Sequence, residues 1–298
     1  MKMHDEEVDI DAGVVRRLVA AQFPRLAGLE IREVPSTGTV NAIYRLGDQL
    51  CARLPRLPRY VPSLEREWRW LPVLAPGLTM RVPEPVALGQ PTAEYPFTWM
   101  IYHWIDGHPY ADQLIDDERQ AARDLARFVS EIRRIALAAD APAGGRRPLA
   151  QLDAGTRTSI AEAADVIDRA AARAAWEAAL RSPAWDGRPV WIHADLLRPN
   201  LLVAGGRIRA VIDFGGAGAG DPATDVIPAW AVFGPAGRAA FREALDVDDG
   251  TWRRARGIAL HQAAALIPYY AVSNPAFAAL GRRTVEQVIA DFCHPGSP

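Results

Sequence analysis

Residues 190–215 read VWIHADLLRPNLLVAGGRIRAVIDFG. A β-rich run, 190–192, enters a loop carrying His193, Asp195 and Asn200. Gly205-Gly206 then turns a hairpin whose second strand delivers Asp213-Phe214-Gly215. H-x-D-x4-N, followed thirteen positions later by D-F-G, is the spacing that a phosphoryl-transfer site needs. A hydroxyl attacking a γ-phosphate requires a carboxylate near its proton, the role that suits Asp195. It also requires metal ions held by hard oxygen ligands, and Asn200 and Asp213 are of the type Mg2+ prefers. His193 is read as a support behind these groups. Taken singly, a loop aspartate is usually a turn or a helix cap, and a lone histidine a satisfied interior residue. The agreement of both intervals carries the reading.

These residues resemble the aminoglycoside phosphotransferase family, whose catalytic loop reads H-G-D-x4-N; Ala194 stands here for that glycine. The resemblance continues in Gly220-Asp221-Pro222-Ala223-Thr224-Asp225, similar to the family's G-D-P-x-x-D stretch, and spans about residues 30–235. It implies an α+β, two-lobed protein-kinase-like fold with a small antiparallel β lobe and a larger, mostly helical lobe. ATP or GTP and Mg2+ are the implied cofactors. In the family's order of parts, Ser36, Thr37 and Gly38 fall where a loop covers the phosphates. Arg53, in the third strand, takes the place of the kinase lysine. A guanidinium clamps phosphate bidentately but does not match an ammonium's geometry, and Arg45, Arg56 and Arg59 are nearby alternatives. Glu67, with Glu65 as its rival, would orient that cation, and backbone groups of His103, Trp104 and Ile105 would meet the adenine. Asp221 and Asp225 are read as structural, with Asp221 as a cap.

A chain of 298 residues, 49% of them hydrophobic, supplies two ordinary cores. A formal charge of -2 with 23% charged residues argues against a protein held on nucleic acid by counterion release. Cys51 and Cys293, the only two cysteines, form neither a disulfide framework nor a metal-ligand spacing, which fits a reducing cytoplasm. The N-terminal MKMHDEEVDIDAG is acidic and lacks an apolar stretch, so neither a secretory signal nor a membrane span is expected. Lys2 is the only lysine, and heavy use of Arg, Ala, Gly and Pro matches G+C-rich coding.

Apolar spacing predicts a helix over 9–22 behind Asp9 or Asp11, then strands at 29–34, 40–46 and 49–54, the last two joined by Gly47-Asp48. A helix capped by Ser63 follows, with strands around Val86 and over 98–104. Alternation along 98–104 would turn at least half of its side chains inward. The lobe boundary is expected near 105, giving a nucleotide lobe, 1–104, and a catalytic and acceptor lobe, 105–298. In the latter, helices are expected behind Asp116, over 157–180, and near 223–233, 236–245, 250–270 and 276–292, with Pro268 and Pro275 as breaks.

The acceptor is expected to be a small molecule with a free hydroxyl. Aminoglycosides are polycations and would need carboxylates, for which Asp116, Asp117, Glu118, Asp246, Asp248, Asp249, Glu286 and Asp291 are the candidates. From Arg242 onward six arginines balance six acids, so no acidic basin stands out. Leu266, Ile267, Tyr269, Tyr270 and Val272 would suit an apolar antibiotic such as a macrolide, and core packing explains them equally well. Macrolide kinases commonly carry His where this chain has Asn200, which counts against that acceptor. The rivals are a kinase of a sugar or amino-alcohol metabolite, a nucleotide-binding module with little catalysis, and a metal-dependent hydrolase built on His193, Asp195, Asp213 and Asp221.

Overall fold

The computed structural model of the chain describes residues 6–34 and 41–293. The chain divides into two compact units, Met1–Gly107 with Ala210–Gly215, and His108–Arg209 with Gly216–Pro298. The division thus falls at 107 rather than 104, and segment 210–215, expected in the second lobe, groups with the first. Main-chain pairing gives the reason: Ala210 bridges Arg81 in parallel, and Val211 N donates to Arg81 O at 3.0 Å.

The first unit begins with α1 (Ala12–Gln22), capped by Asp11, whose carboxylate accepts from Val14 N at 2.8 Å. Strands β1 (Ile31–Glu33), β2 (Asn41–Leu46) and β3 (Leu50–Pro55) follow, then α2 (Val61–Leu74), β4 (Pro85–Gly89) and β5 (Trp99–His103). The strands form one five-stranded antiparallel sheet in the order β1-β2-β3-β5-β4. Val14, Val15, Leu18 and Val19 of α1 bury against Ala42, Tyr44, Leu46, Ala52, Leu54, Trp99 and Ile101 on one face. Gly89 pairs with Trp99 in the ladder, and a Cβ there would lie 2.0 Å from the indole, so the strand needs glycine at that point.

One local expectation changes. Ser63 lies inside α2 rather than capping it, because the helix starts at Val61 with Pro62 in its first turn, where a fixed φ suits the helix and the missing N–H costs nothing. Strand β5 is buried on both sides from Trp99 through Tyr102. Trp99 and Ile101 face the α1 core, while Tyr102 reaches Glu67 of α2.

The second unit starts at β6 (His108–Pro109) and α3 (Glu118–Arg134). Asp117, not Asp116, caps α3 by accepting from Gln120 N, and the Asp116 amide donates to Gly206 O. The single helix expected over 157–180 is two, α4 (Leu149–Glu162) and α5 (Arg169–Leu180), because Asp168 accepts from Ala171 N and starts a new helix. Then come β7 (Val190–Ile192), β8 (Leu201–Ala204), β9 (Arg207–Val211) and β10 (Gly218–Gly220); β6, β8 and β9 share one sheet, and β7 pairs with β10. The chain ends in α6 (Pro228–Ala231), α7 (Pro235–Leu245), α8 (Asp249–Tyr270) and α9 (Pro275–Cys293). Pro268 does not break α8, which runs on to Tyr270, whereas Pro275 opens α9. Among the described residues no helix is long and apolar enough to cross a membrane.

Helices α4, α5 and α8 meet around His261. Its Nδ1 lies 2.8 Å from the Thr156 hydroxyl, and its ring tilts against Trp176. Burial pulls this imidazole from the ordinary 6.5 to about 4, and Arg146 adds to the shift. Between those values the unfolded chain binds a proton that the folded chain refuses. Stability is therefore full above pH 6.5 and declines as pH falls toward 4. Denaturant unfolding measured across this window should show the decline, and His261→Gln should flatten it; an unchanged slope in the variant would mean that another group sets it.

Candidate active site

The loop after β7 is fixed by one carboxylate. Asp225, fully buried, accepts from His193 N at 2.7 Å through one oxygen and from Ala194 N at 2.8 Å through the other. Burial pushes this carboxyl upward, and His193, the two amides and Arg133 oppose the shift. Ala194 has φ of 71°, in the left-handed region where an L-residue costs roughly 1–2 kcal/mol. That strain persists because Asp225 holds both flanking amides. His193 is buried, and its Nδ1 accepts from Asp195 N at 3.2 Å, so the ring is a brace for the loop.

Past this turn Asp195 is half-buried. Asn200 donates from Nδ2 to Asp195 O at 2.9 Å and to Asp195 Oδ2 at 2.8 Å. Gln262 of α8 donates from Nε2 to Asp195 Oδ1 at 3.2 Å. Arg198, between Asp195 and Asn200, is tied to Asp112 and to Val232 O. Asp221 caps the turn that follows β10, accepting from Ala223 N at 2.9 Å, and pairs with Arg254 at 3.0 Å.

In the first unit Arg53 donates to Glu67 Oε2 at 2.8 Å, and its other arm lies 3.6 Å from Asp213 Oδ1. The same Glu67 oxygen accepts from the Tyr102 hydroxyl at 2.5 Å. Burial alone would lower the guanidinium's pKa, but Glu67, Tyr102 and Asp213 together raise it, so Arg53 stays charged. Glu65 is exposed, and Glu67 is the partner. Asp213 has φ of 67°, and the approach of Ser63 leaves no room for a Cβ on Gly215, which would stand 2.8 Å from the Ser63 side chain. His103 N donates to Glu84 O and Trp104 N to Gln49 O. Of the backbone groups expected to meet a nucleotide base, the N–H groups of His103 and Trp104 are thus engaged within the first unit. Trp104 stacks under Arg45 and bonds Asp106 instead. Ser36, Thr37 and Gly38 lie outside the described residues.

The sequence profile of the phosphotransferase enzyme family matches residues 31–258. The chain belongs to that family. Solved structures of similar fold include the GDP complex of wild-type aminoglycoside 2'-phosphotransferase-IIIa, 16% identical over 95% of this chain and 100% of that one, with a TM-score of 0.70. The GDP and kanamycin complex of APH(2")-IIia is also 16% identical, over 93% and 99% of the two chains, at 0.71. The apoenzyme of macrolide 2'-phosphotransferase MphH from Brachybacterium faecium is 23% identical over 97% and 99%, at 0.60. Among curated protein sequences no significant match is found. The fold of this phosphotransferase is the two-lobed protein-kinase-like one, a small antiparallel-sheet unit and a larger helical unit.

The donor atoms of this phosphotransferase suit Mg2+. Asn200 turns its amide N–H groups to Asp195, which leaves its Oδ1, a hard oxygen, as the atom a cation would take. The Asp213 carboxylate is 43% exposed and offers oxygens of the same kind. Among the described residues no group of three or more His, Cys, Asp or Glu gathers into a metal cluster. Sequence reasoning passed over Tyr102 and Gln262. Tyr102 is one aromatic in an apolar strand, and a lone amide 67 positions from Asp195 on an apolar helix carries no local signal.

Ala194→Gly should relieve the left-handed strain and raise unfolding free energy by about 1 kcal/mol, with turnover retained. Asp225→Asn should lose about 2 kcal/mol and most turnover, since one amide loses its acceptor. Urea unfolding checks both; a glycine variant less stable than the parent would contradict the strain.

Proposed function

We propose that this phosphotransferase moves the γ-phosphoryl group of ATP or GTP to a hydroxyl of a small-molecule acceptor, with Asp195 as the base. The observation that carries this reading is the half-exposed Asp195 carboxylate, held by Asn200 at 2.8 Å on a loop clamped by Asp225. In the transfer the acceptor O–H gives its proton to Asp195 while its oxygen bonds the γ-phosphorus. The bond from that phosphorus to the bridging oxygen breaks, and nucleoside diphosphate leaves. Arg53, fixed by Glu67 and Tyr102, steadies the phosphates, with Ser36, Thr37 and Gly38 as partners by their place in the sequence. The backbone around His103, Trp104 and Ile105 meets the base, with the N–H groups of His103 and Trp104 engaged within the first unit.

Asn200 and Asp213 would hold Mg2+, which when bound neutralises charge on the phosphate oxygens. The chain's own part is alignment of the hydroxyl and general-base removal of its proton. In this reading the first unit binds nucleotide and the second carries the base and the acceptor site. The unpaired thiols of Cys51 and Cys293 fit a reducing cytoplasm.

The acceptor proposed first is an aminoglycoside-like antibiotic, by analogy with the neighbour solved with kanamycin. One observation favours a second reading, a neutral or apolar acceptor such as a macrolide or a metabolite alcohol. Most carboxylates that a polycation would need are committed within the second unit. Asp117 caps α3, Asp248 caps α8, and Glu118 accepts from Gly234 N and Gly237 N at the start of α7. Asp249 pairs with Arg242, and Asp291 with Arg238 and Arg256.

Asp195→Asn should cut transfer by about 10²–10⁴-fold with Mg-nucleotide binding retained by calorimetry. Turnover within about tenfold of the parent would remove Asp195 from the chemistry. A radiolabelled γ-phosphate assay over kanamycin, gentamicin, a macrolide and an amino alcohol should label one class; labelling of the macrolide or amino alcohol alone would displace the aminoglycoside reading.

A further inference from the structure

Asp195 is held by an amide on each carboxylate oxygen, and one of the two amides comes from outside the catalytic loop. Asn200 Nδ2 takes Oδ2 at 2.8 Å, and Gln262 Nε2 takes Oδ1 at 3.2 Å. An ionised carboxylate only accepts, so the Gln262 amide must present its NH2 to Asp195 and turn Oε1 away. That Oε1 is buried and has no hydrogen-bond partner, on a side chain whose residue is 9% exposed. Nearby is a cavity of about 10 Å³ lined by Leu197, Ile227, Leu266 and Leu280, with Gln262 and Thr284 as its polar members. Thr284 spends its hydroxyl on Leu280 O at 2.9 Å. An amide oxygen left unpaired in so apolar a place is costly, and packing alone would be served better by Leu or Met. What the glutamine gains there is the bond to Asp195.

We infer that Gln262 is a positioning residue for the base. A carboxylate turns freely about its last torsion, and only one oxygen's lone pair has to meet the acceptor proton. With Asn200 on one oxygen and Gln262 on the other, the carboxylate plane is fixed before the acceptor arrives. Because α8 is a long helix packed on α4, α5 and α9, the second amide rests on a rigid element rather than on the loop. The inference depends on Asp195 being the base, as proposed above.

The test uses Gln262→Met, which keeps length and packing and removes the donor, beside Thr284→Val, which alters the same cavity wall without touching Asp195. The assay is γ-phosphate transfer to the best acceptor of the panel of kanamycin, gentamicin, a macrolide and an amino alcohol. Gln262→Met should lower kcat by roughly 10–100-fold, leave the KM for Mg-nucleotide within about twofold, and leave the melting temperature near that of the parent. Thr284→Val should keep kcat. An unchanged kcat in Gln262→Met overturns the inference, and so does an equal loss in both variants, which would mark general packing. Asp195→Asn run in parallel separates the failures: if it retains turnover the base is wrong, and if it loses turnover while Gln262→Met does not, only the positioning role is wrong.

Discussion

The bidentate grip of Asp225 on two consecutive backbone amides is the constraint from which the His193–Asn200 loop of this phosphotransferase is built. A peptide N–H inside a protein must find an acceptor, and a turn as tight as His193-Ala194 cannot supply one from its own backbone. A carboxylate satisfies both donors at once and, being charged, does so more strongly than a carbonyl would. It thereby makes a left-handed alanine tolerable, and the chain direction it imposes brings Asp195 N onto the His193 ring and Asn200 onto Asp195. Arg133 lies close enough to raise no objection to the buried charge, and it also binds Pro222 O in the turn that carries Asp225. The loop and its clamp are thus one hydrogen-bonded body.

The first unit handles its buried charge by a different device. Arg53, read from the sequence as standing in for the kinase lysine, sends the two arms of its guanidinium to different acids, one to Glu67 and one toward Asp213. A compact ammonium has no such fork. Glu67 in turn concentrates both of its bonds on a single oxygen, with Tyr102 as the second donor, and leaves the other oxygen without a partner. Buried ion pairs seldom add net stability, because desolvation takes back most of the attraction. The trio is better understood as fixing position: it locks the third and fifth strands and α2 to one another around a cation that keeps its proton.

Much of this was legible in the sequence because the deciding features are local. H-x-D-x4-N, the Gly205-Gly206 turn and the Gly47-Asp48 turn each lie within a few residues of the structure they specify. Where neighbours in space decide, the reading slipped. Asp117 took the cap from Asp116 because the Asp116 carboxylate packs against Gly206, a residue of a hairpin remote in sequence. The Ala-rich stretch gave no periodicity by which to find the break before Asp168, since alanine suits helix interior and helix end alike. On β5 alternation holds, with Trp99 and Ile101 in the α1 core and Tyr102 turned to Glu67, but it could not say what each side meets. Gln262 could not be read at all, being one amide among apolar neighbours with its partner on a remote loop.

Composition assigned the abundance of arginine to coding bias, and the packing of α6 shows what the chain does with part of it. This four-residue helix ends in carbonyls that no further turn can satisfy. Arg238 donates to Ala229 O, Arg283 to Trp230 O and Val232 O, and Arg198 to Val232 O. Three guanidiniums from three separate segments thus close one helix end, where partial negative charge favours cations. Crowding is visible in Arg283, whose pKa is lowered first by burial and then by Arg198. Lysine could not substitute, because several of these arginines also reach a second acceptor with the other arm of the fork. Since Arg198 lies in the loop between Asp195 and Asn200, the same closure ties that loop to the helical body, with Asp112 countering the Arg198 charge.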